Sequence, residues 1–278
     1  MTANTLFYII ITILILSFII DKILDTLNSS HYNDPIPVEL KDVYDHKEYQ
    51  KSQAYKKVND RFGSITSLVS LVATLAFFFL DGFAFVDKWA RTFSDNNIIV
   101  ALIFFGSIML ASDILSTPFS YFHTFVIEER FEFNKTTIKT FFLDKAKGWL
   151  ISSLLGGLIL SIIIWFYEST GSNFWLYAWG MVAAFAFFMN MFYARLIVPL
   201  FNKQTPLEEG TLKAKIENYA QQVGFKLDKI FVIDGSKRST KANAYFSGFG
   251  SEKRVTLYDT LINDLEEDEI VAVLAHEV

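Results

Sequence analysis

The segment GWLISSLLGGLILSIIIWFY, residues 148–167, carries no charged side chain over 20 residues. A helix needs about 20 mostly apolar residues to cross the roughly 30 Å hydrocarbon core of a bilayer, so this segment predicts a membrane-spanning helix. Four further charge-free runs occupy residues 1–20, 63–80, 96–112 and 169–194. The sequence therefore predicts five membrane spans, near residues 3–24, 63–86, 96–120, 148–167 and 172–198.

The composition agrees with a membrane protein and excludes several other classes. Of the 278 residues, 52% are hydrophobic and only 20% are charged, against roughly 25% charged in a soluble domain. The net charge of −5 gives no basic excess, so we expect no nucleic-acid partner. Because the chain has no cysteine, disulfides and thiolate ligands are excluded, and any metal must be held by histidine and carboxylates.

Loop charges predict how the spans are oriented. The four successive connections contain seven, two, five and no Lys or Arg residues, and such residues accumulate in short cytoplasmic loops. We therefore place the N-terminus outside and everything after Arg195 in the cytoplasm, in either a bacterial inner membrane or an ER membrane. The first run has no basic residue before it and no A-x-A cleavage site after it, so it reads as a retained helix.

Residues 202–278 have a different character from residues 1–201. They contain 10 basic and 13 acidic residues among 77, which is typical of a soluble domain. We predict a helix entered at Pro206 and closed by Gly224, then the strand KIFVI, then ANAYFSGFG and RVTLYDTLI as a hairpin or as neighbouring strands. A last helix runs through IVAVLA, with Asn263 or Asp264 as its cap. The predicted fold is mainly α and integral to the membrane, with five transmembrane helices followed by a cytoplasmic α+β domain.

The chemistry lies in the last three residues, His276-Glu277-Val278. A helical His-Glu pair is the first half of H-E-x-x-H, in which two histidines on one helix face bind zinc and the glutamate acts as general base. Taken alone the pair is a weak signal, because a solvated His beside a solvated Glu is common. The second histidine of such a motif would follow Val278.

The context of this pair resembles a known family. The long membrane region is followed in order by YFHTFVIEERFEFNKTT (121–137), IVPLFNKQTPLEEGTLK (197–213), DGSKRSTKANAYFSGFG (234–250), RVTLYDTLI (254–262) and EIVAVLAHE (269–277). Together these segments resemble the type I CAAX prenyl proteases, which are integral-membrane zinc metalloproteases. One departure is Glu132, where the family pattern leads us to expect glycine.

The resemblance implies roles for residues at the C-terminus. His276 would be a zinc ligand and Glu277 the general base, with one Zn²⁺ per complete enzyme. Asn243, Ala244, Tyr245 and Phe246 would form an edge strand that binds an extended substrate, although an ordinary core strand is the alternative. It also implies a second histidine and a downstream glutamate ligand, so we expect a metalloprotease domain cut off at its zinc helix and inactive as given.

Polar residues within the predicted spans are a second set of candidates. Charge at such depths is costly, so these residues should face protein or water. The resemblance implies a water-filled chamber among the spans, and Asp113 and Asn190 are the candidates to line it. The alternatives are snorkelling for Arg195 and Asp81 and an interhelical hydrogen bond for Asn190.

The function expected from this pattern is hydrolysis of peptide bonds by a membrane-embedded zinc endopeptidase. Its substrates would be peptides or CAAX-type protein C-termini, lipidated or not, met at the lipid bilayer. Three alternatives remain open at this stage: an HtpX-like quality-control protease, which has fewer spans before its zinc helix, a non-catalytic membrane scaffold, and a transporter. The transporter lacks support from internal repeats.

Overall fold

The computed structural model describes residues 2–42, 45–225, 227, 229–248 and 253–277. The fold is mainly helical, with a small mixed sheet towards the C-terminus. The chain divides into two compact units, residues 1–131 and 132–278. Among the described residues, four continuous helical stretches are long and apolar enough to cross a membrane: Ala3–Ser29, His46–Phe79, Asn97–Glu128 and Ile138–Phe201. The last stretch holds the fourth and fifth predicted spans. The predicted boundary at 201/202, between membrane and cytoplasmic residues, stays a prediction.

The first unit consists of helices whose starts are set by side-chain caps. Thr2, Asp45 and Asn96 each accept backbone N–H groups of the first turn that would otherwise lack a partner. Phe7 packs edge-to-face on Phe79, with ring centroids 5.4 Å apart. The helices are α1 (Ala3–Ser29), α2 (His46–Phe79), α3 (Gly82–Arg91) and α4 (Asn97–Phe122).

The predicted span 63–86 is not one helix. Helix α2 ends at Phe79, and Asp81 adopts a left-handed conformation with φ of 56° before α3 begins at Gly82. A Cβ at position 82 would lie 2.4 Å from the Phe77 ring, so glycine allows the ring to pack against the backbone there. The apolar run GFAFV therefore belongs to α3 and does not extend α2. Asp113, by contrast, does lie inside α4.

Helix α4 continues as a π-helical segment, His123–Glu128. Pro118 lies just before this segment, inside α4. The segment makes polar contacts with α2: His123 Nε2 lies 2.8 Å from Asn59 Oδ1, and the Tyr55 hydroxyl donates to Glu128. Polar side chains thus tie α2 to the end of α4 within the first unit.

The second unit begins with long helices and continues into the sheet. The helices before the sheet are α5 (Ile138–Thr170), α6 (Phe174–Leu196) and α7 (Val198–Phe201). The strands are β1 (Gln204–Pro206), β2 (Lys229–Ile233), β3 (Ala244–Ser247) and β4 (Arg254–Tyr258), in the order β1-β2-β4-β3. Strands β2 and β4 are parallel and the other neighbours are antiparallel. KIFVI is thus a strand, and the two predicted β-rich segments are neighbours, as expected from the sequence.

The sheet is covered on both faces, which explains why β4 is so deeply buried. Val255 and Leu257 are 0% exposed and pack with Ile216 of α8 (Thr211–Gln222) and with Ile270 and Leu274 of α10 (Glu267–Glu277). On the opposite face, residues of β2, β3 and β4 pack against the end of α6 and against α7: Ile233, Tyr245, Tyr258, Ala194 and Val198. Because side chains alternate along a strand, successive residues of β4 pack on the two opposite faces of the sheet.

The helix expected to begin at Pro206 begins later. Pro206 pairs with Phe231 in β1, an outer strand where the missing N–H of proline is tolerated. Helix α8 ends as predicted before Gly224, whose φ is 68°. The backbone N–H of Phe225 bonds to Ala220 O at 2.8 Å and that of Gly224 to Gln221 O at 3.1 Å, which is a Schellman motif.

The cap expected for the last helix is also wrong. Asn263 and Asp264 belong to a separate helix, α9 (Asp259–Asp264), and α10 begins at Glu267. The Glu266 N–H instead donates to Glu269 Oε2 at 2.9 Å. This is the N3-to-N-cap half of a capping box, which the run of acidic residues concealed.

The departure from the family pattern at Glu132 has a structural consequence. Glu132 has φ of 66°, in the left-handed region that favours glycine. Its carbonyl accepts a hydrogen bond from Thr240 Oγ1 at 3.3 Å, so the turn is part of a packed junction. The glycine expected from the resemblance therefore matches a conformational need.

We predict that Glu132→Gly is more stable than Glu132→Ala by about 1 kcal/mol. Both variants remove the carboxylate, but only glycine relieves the left-handed penalty of about 1–2 kcal/mol, less about 0.4–1 kcal/mol of added unfolded-state entropy. Thermal unfolding of the two variants in the same detergent checks this. Equal or reversed stabilities would show that the turn does not hold residue 132 at positive φ.

Candidate active site

Strand β3 forms one edge of the described sheet. The Tyr258 N–H donates to Asn243 O at 3.0 Å, so Asn243 and every second residue after it point their backbone groups towards β4. The backbone groups of Ala244 and Phe246 therefore face away from β4. The Ala244 N–H is taken by Asn243 Oδ1 at 2.9 Å, which leaves the Ala244 carbonyl and both groups of Phe246 on the free side.

A groove of about 670 Å³ lies between helix α6 and strand β3. It collects Asn190, Tyr245 and Phe246, three of the residues singled out in the sequence, whereas Asn243 and Ala244 do not line it. Ala244 is 4% exposed and belongs to the core under the sheet. The described lining residues are Ala186, Met189, Asn190, Tyr193, Phe225, Tyr245, Phe246, Ser247, Gly248 and Lys253.

The groove combines aromatic surface with a buried hydroxyl. Phe225 packs edge-to-face on Phe246 at a centroid distance of 5.0 Å, and the Lys253 ammonium lies 4.4 Å from the Phe225 ring centroid. Burial raises the pKa of the Tyr245 phenol, so this hydroxyl stays un-ionised. Ser247 Oγ is buried and has no hydrogen-bond partner among the described residues.

Helix α10 presents the His-Glu pair at its C-terminal end. Ile270 and Leu274 are each 1% exposed and anchor one face of the helix in the core. His276, two residues beyond Leu274, is exposed, as helical periodicity predicts for the opposite face. Glu277 ends the helix, and its side chain lies outside the described part.

Contacts with α8 hold the first turn of α10. The Thr211 hydroxyl donates to Glu267, and this bond lowers the pKa of the Glu267 carboxyl. Lys215 Nζ lies 2.9 Å from Glu267 Oε2 and 2.7 Å from Asp268 Oδ1. These pairs are exposed and contribute little free energy each, but they fix the position of α10 relative to α8.

The described residues fit a zinc ion at one ligand position only. His276 is exposed and could offer an imidazole nitrogen. Catalytic zinc takes three protein ligands, and within the described ranges no group of three or more His, Cys, Asp or Glu side chains is placed to hold a metal ion.

Asp113 belongs to the first unit, whereas the groove residues belong to the second. It is half-buried in α4, and its carboxylate lies 3.4 Å from Thr117 Oγ1. A second cavity, of about 840 Å³, lies between α2, α3 and α4 and is lined by Phe, Ser, Thr and His123, without Asp113 among its lining residues. A chamber role for Asp113 and Asn190 stays a prediction.

A junction that sequence reasoning missed is centred on Arg238. Its guanidinium donates to both carboxylate oxygens of Asp144 on α5, at 2.8 and 3.0 Å, and to the Phe201 carbonyl at 2.8 Å. The Arg238 carbonyl accepts the Lys135 N–H at 3.0 Å. The loop after β2 is thus fastened to α5, to α7 and to the segment before α5.

Two further contacts complete this junction. Asn202 Nδ2 and the Lys203 N–H both donate to Asp234 Oδ1, at 3.0 and 2.8 Å. Asp259 accepts the Ser236 N–H at 2.8 Å and also its hydroxyl. The residues PLFN, DGSKRST and DTL, which carry the family resemblance, therefore meet in one hydrogen-bonded junction. Because these three segments all belong to the family pattern, the sequence did offer a sign that they have a structural role.

We predict that Arg238→Met lowers the free energy of unfolding by about 1–3 kcal/mol, because it leaves the Asp144 carboxylate without its charged donors. Arg91→Met is the matched control, since Arg91 also bonds an aspartate, Asp87, at 2.9 Å but is 55% exposed against 24% for Arg238. The control should lose only about 0.3–0.5 kcal/mol. Chemical or thermal unfolding in detergent measures both, and equal losses would refute the anchoring role.

Comparison with known proteins agrees with this architecture. The family model described as "CAAX prenyl protease N-terminal, five membrane helices" matches residues 25–203, and the model for peptidase family M48 matches residues 206–278. The CAAX prenyl protease 1 homolog of Oryza sativa subsp. japonica is 37% identical over 97% of this chain. CAAX prenyl protease 1 of Saccharomyces cerevisiae is 36% identical over 87% of it.

A solved structure shares the fold. The crystal structure of S. mikatae Ste24p superposes with a TM-score of 0.91 at 36% identity and covers 98% of this chain. The chain spans 65% of that protein, 65% of the rice relative and 56% of the yeast relative. The membrane helices, the small sheet and the two family matches lead to one assignment: the chain belongs to the CAAX prenyl protease 1 family of M48 zinc metallopeptidases.

Proposed function

We propose that this chain is the membrane region and the beginning of the catalytic domain of a zinc endopeptidase that cleaves peptide bonds in CAAX-type protein C-termini, including prenylated ones. The observation that carries the proposal is the free edge of β3 along the α6 groove, in the same unit as α10 and its exposed His276. Family membership supplies the reaction class. A scaffold or a transporter would need neither feature.

The substrate would bind as an added strand. The Ala244 carbonyl and the Phe246 N–H and carbonyl can pair with a peptide backbone, which gives affinity without demanding particular side chains. Residues on either side of the cleaved bond would then be held in extended form beside α6.

Two groups of α10 would serve the chemistry. His276 would be a zinc ligand, and the zinc ion, when bound, supplies the Lewis acidity that makes water nucleophilic near neutral pH. Glu277 would take a proton from the attacking water at a carboxylate oxygen and deliver it to the nitrogen of the leaving amine. Its position next to His276 on one helix is the H-E arrangement that this chemistry uses.

We further propose that residues 202–278 are cytoplasmic and that the N-terminus is outside. The support is the alternation of seven, two, five and no basic residues in successive loops. The connection with no basic residues contains Asn173, between α5 and α6.

Single cysteines test this orientation, because the chain has none of its own. We expect Ser52→Cys and Gln222→Cys, both exposed, to react with a membrane-impermeant maleimide from the same face. Asn173→Cys should react from the opposite face, because its loop lacks the Lys and Arg residues that are typical of cytoplasmic loops. Labelling of positions 52 and 222 from opposite faces would contradict the proposal.

We predict that Glu277→Gln lowers turnover at least about 100-fold in the enzyme whose chain continues through the second histidine of the motif. Gln keeps the shape of the side chain but cannot accept a proton, and positioned acid–base catalysis contributes about 10²- to 10⁴-fold. Zinc content and thermal stability should be unchanged, because Gln keeps the shape of Glu and has a similar helix propensity.

Glu269→Gln is the control for that experiment. It changes the same residue type in the first turn of α10, where the side chain only caps the helix, so turnover should stay near that of the parent. Retention of most activity in zinc-loaded Glu277→Gln would exclude Glu277 as the base.

A further inference from the structure

We propose that the groove between α6 and β3 binds the isoprenoid chain of a prenylated substrate. This inference rests on the proposed function, because it assumes that a peptide adds to the free edge of β3. It assigns to that peptide's lipid a position that backbone pairing alone does not specify.

The first support is the location of the groove. Its α6 wall consists of Ala186, Met189, Asn190 and Tyr193, which are spaced i, i+3, i+4 and i+7 and therefore form one helix face. Helix α6 lies in the stretch Ile138–Phe201, which is long and apolar enough to cross a membrane. We therefore place the lipid chain of a substrate along this face, between the bilayer and β3.

The second support is the chemistry of the walls. Methionine and aromatic rings provide most of the side-chain surface: Met189, Tyr193, Phe225, Tyr245 and Phe246. An unsaturated hydrocarbon chain gains from burial against such surfaces, and flexible thioether side chains adapt to its shape. Among the described residues no carboxylate lines the groove, and its one cation, Lys253, lies against the Phe225 ring. The walls suit an apolar guest better than a charged one.

The third support is size. A volume of about 670 Å³ is within the range of roughly 300–1,000 Å³ typical of small-molecule sites.

The direction of side chains along an added strand is the fourth support. A strand added to β3 directs alternate side chains to the two faces of the sheet, and the face that carries Tyr245 also packs against the end of α6. A lipidated cysteine at such a position would place its chain in the groove.

Binding measurements on the complete enzyme carrying Glu277→Gln test this, so that bound peptide is not cut. Fluorescent peptides of one sequence, with a methyl or a farnesyl thioether on cysteine, are titrated against protein in nanodiscs of fixed lipid composition. In the parent, the farnesyl peptide should bind at least about tenfold more tightly than the methyl peptide, because it buries more apolar surface.

Ala186→Trp fills the groove and should weaken binding of the farnesyl peptide at least about fivefold more than binding of the methyl peptide. Ala184→Trp is the matched control: it lies on the same helix, two residues away and outside the groove lining, and should keep the full preference. Met189→Ala removes apolar wall without adding bulk and should also reduce the preference. Met189→Ala replaces Ala186→Trp in the experiment if the tryptophan variant has a lower thermal stability.

A preference that survives both groove variants would overturn the inference, as would equal losses for the two peptides. Hydrolysis by the enzyme with Glu277 intact is measured alongside. If the methyl peptide is cut but the groove variants change nothing, the groove assignment fails and the proposed function stands. If no peptide is cut, the proposed function itself fails.

Discussion

The second unit depends on the bidentate pair between Arg238 and Asp144, at 2.8 and 3.0 Å. The pair fastens the loop after β2 to α5, and it adds a directional polar attachment to the apolar packing of the sheet against α6 and α7. With the sheet held in this way, the edge of β3 keeps a fixed wall opposite it. Arginine suits this position because its planar fork can bind a carboxylate and a backbone carbonyl together. The side chains are 24% and 23% exposed, so water weakens the pair less than it would on an open surface.

Much of the fold could be predicted from periodicity and composition, because a hydrocarbon core imposes a length requirement that a sequence displays directly. KIFVI and the end of α8 at Gly224 were likewise readable from local chemistry. The errors arose where two local signals compete. Pro206 suits a helix start as well as an edge strand, and the four acids before IVAVLA hide which residue is the cap. Asp81 could have been tolerated within a span, yet its left-handed conformation ends the helix.

The candidate site was predictable in its residue types and much less so in its grouping. His276 and the ANAYFSGFG strand were found from motif order, and Asn190 from the cost of a polar group in a span. Nothing in the sequence indicates that Asn190 meets Tyr245 and Phe246 in one groove, since 55 residues separate Asn190 from Tyr245. Arg238 was equally hidden, because an arginine in a polar turn reads as solvated until Asp144 is placed beside it. Such contacts depend on tertiary packing, which local pattern does not encode.

If the groove binds a prenyl chain as proposed, one unit needs both a helix of the membrane-spanning type and the sheet. A prenylated C-terminus has two parts that favour different surroundings, a peptide that needs hydrogen bonds and a chain that favours hydrocarbon. Strand β3 offers unpaired backbone groups, and α6 offers an apolar face of a membrane span, with Tyr245 and Phe246 lining the space between them. If either wall moved, the peptide would lose its hydrogen bonds to β3 or the hydrocarbon chain would be exposed to water. On this proposal the junction at Arg238 would be a condition for recognising both parts at once, since a sheet free to move could hold only the peptide.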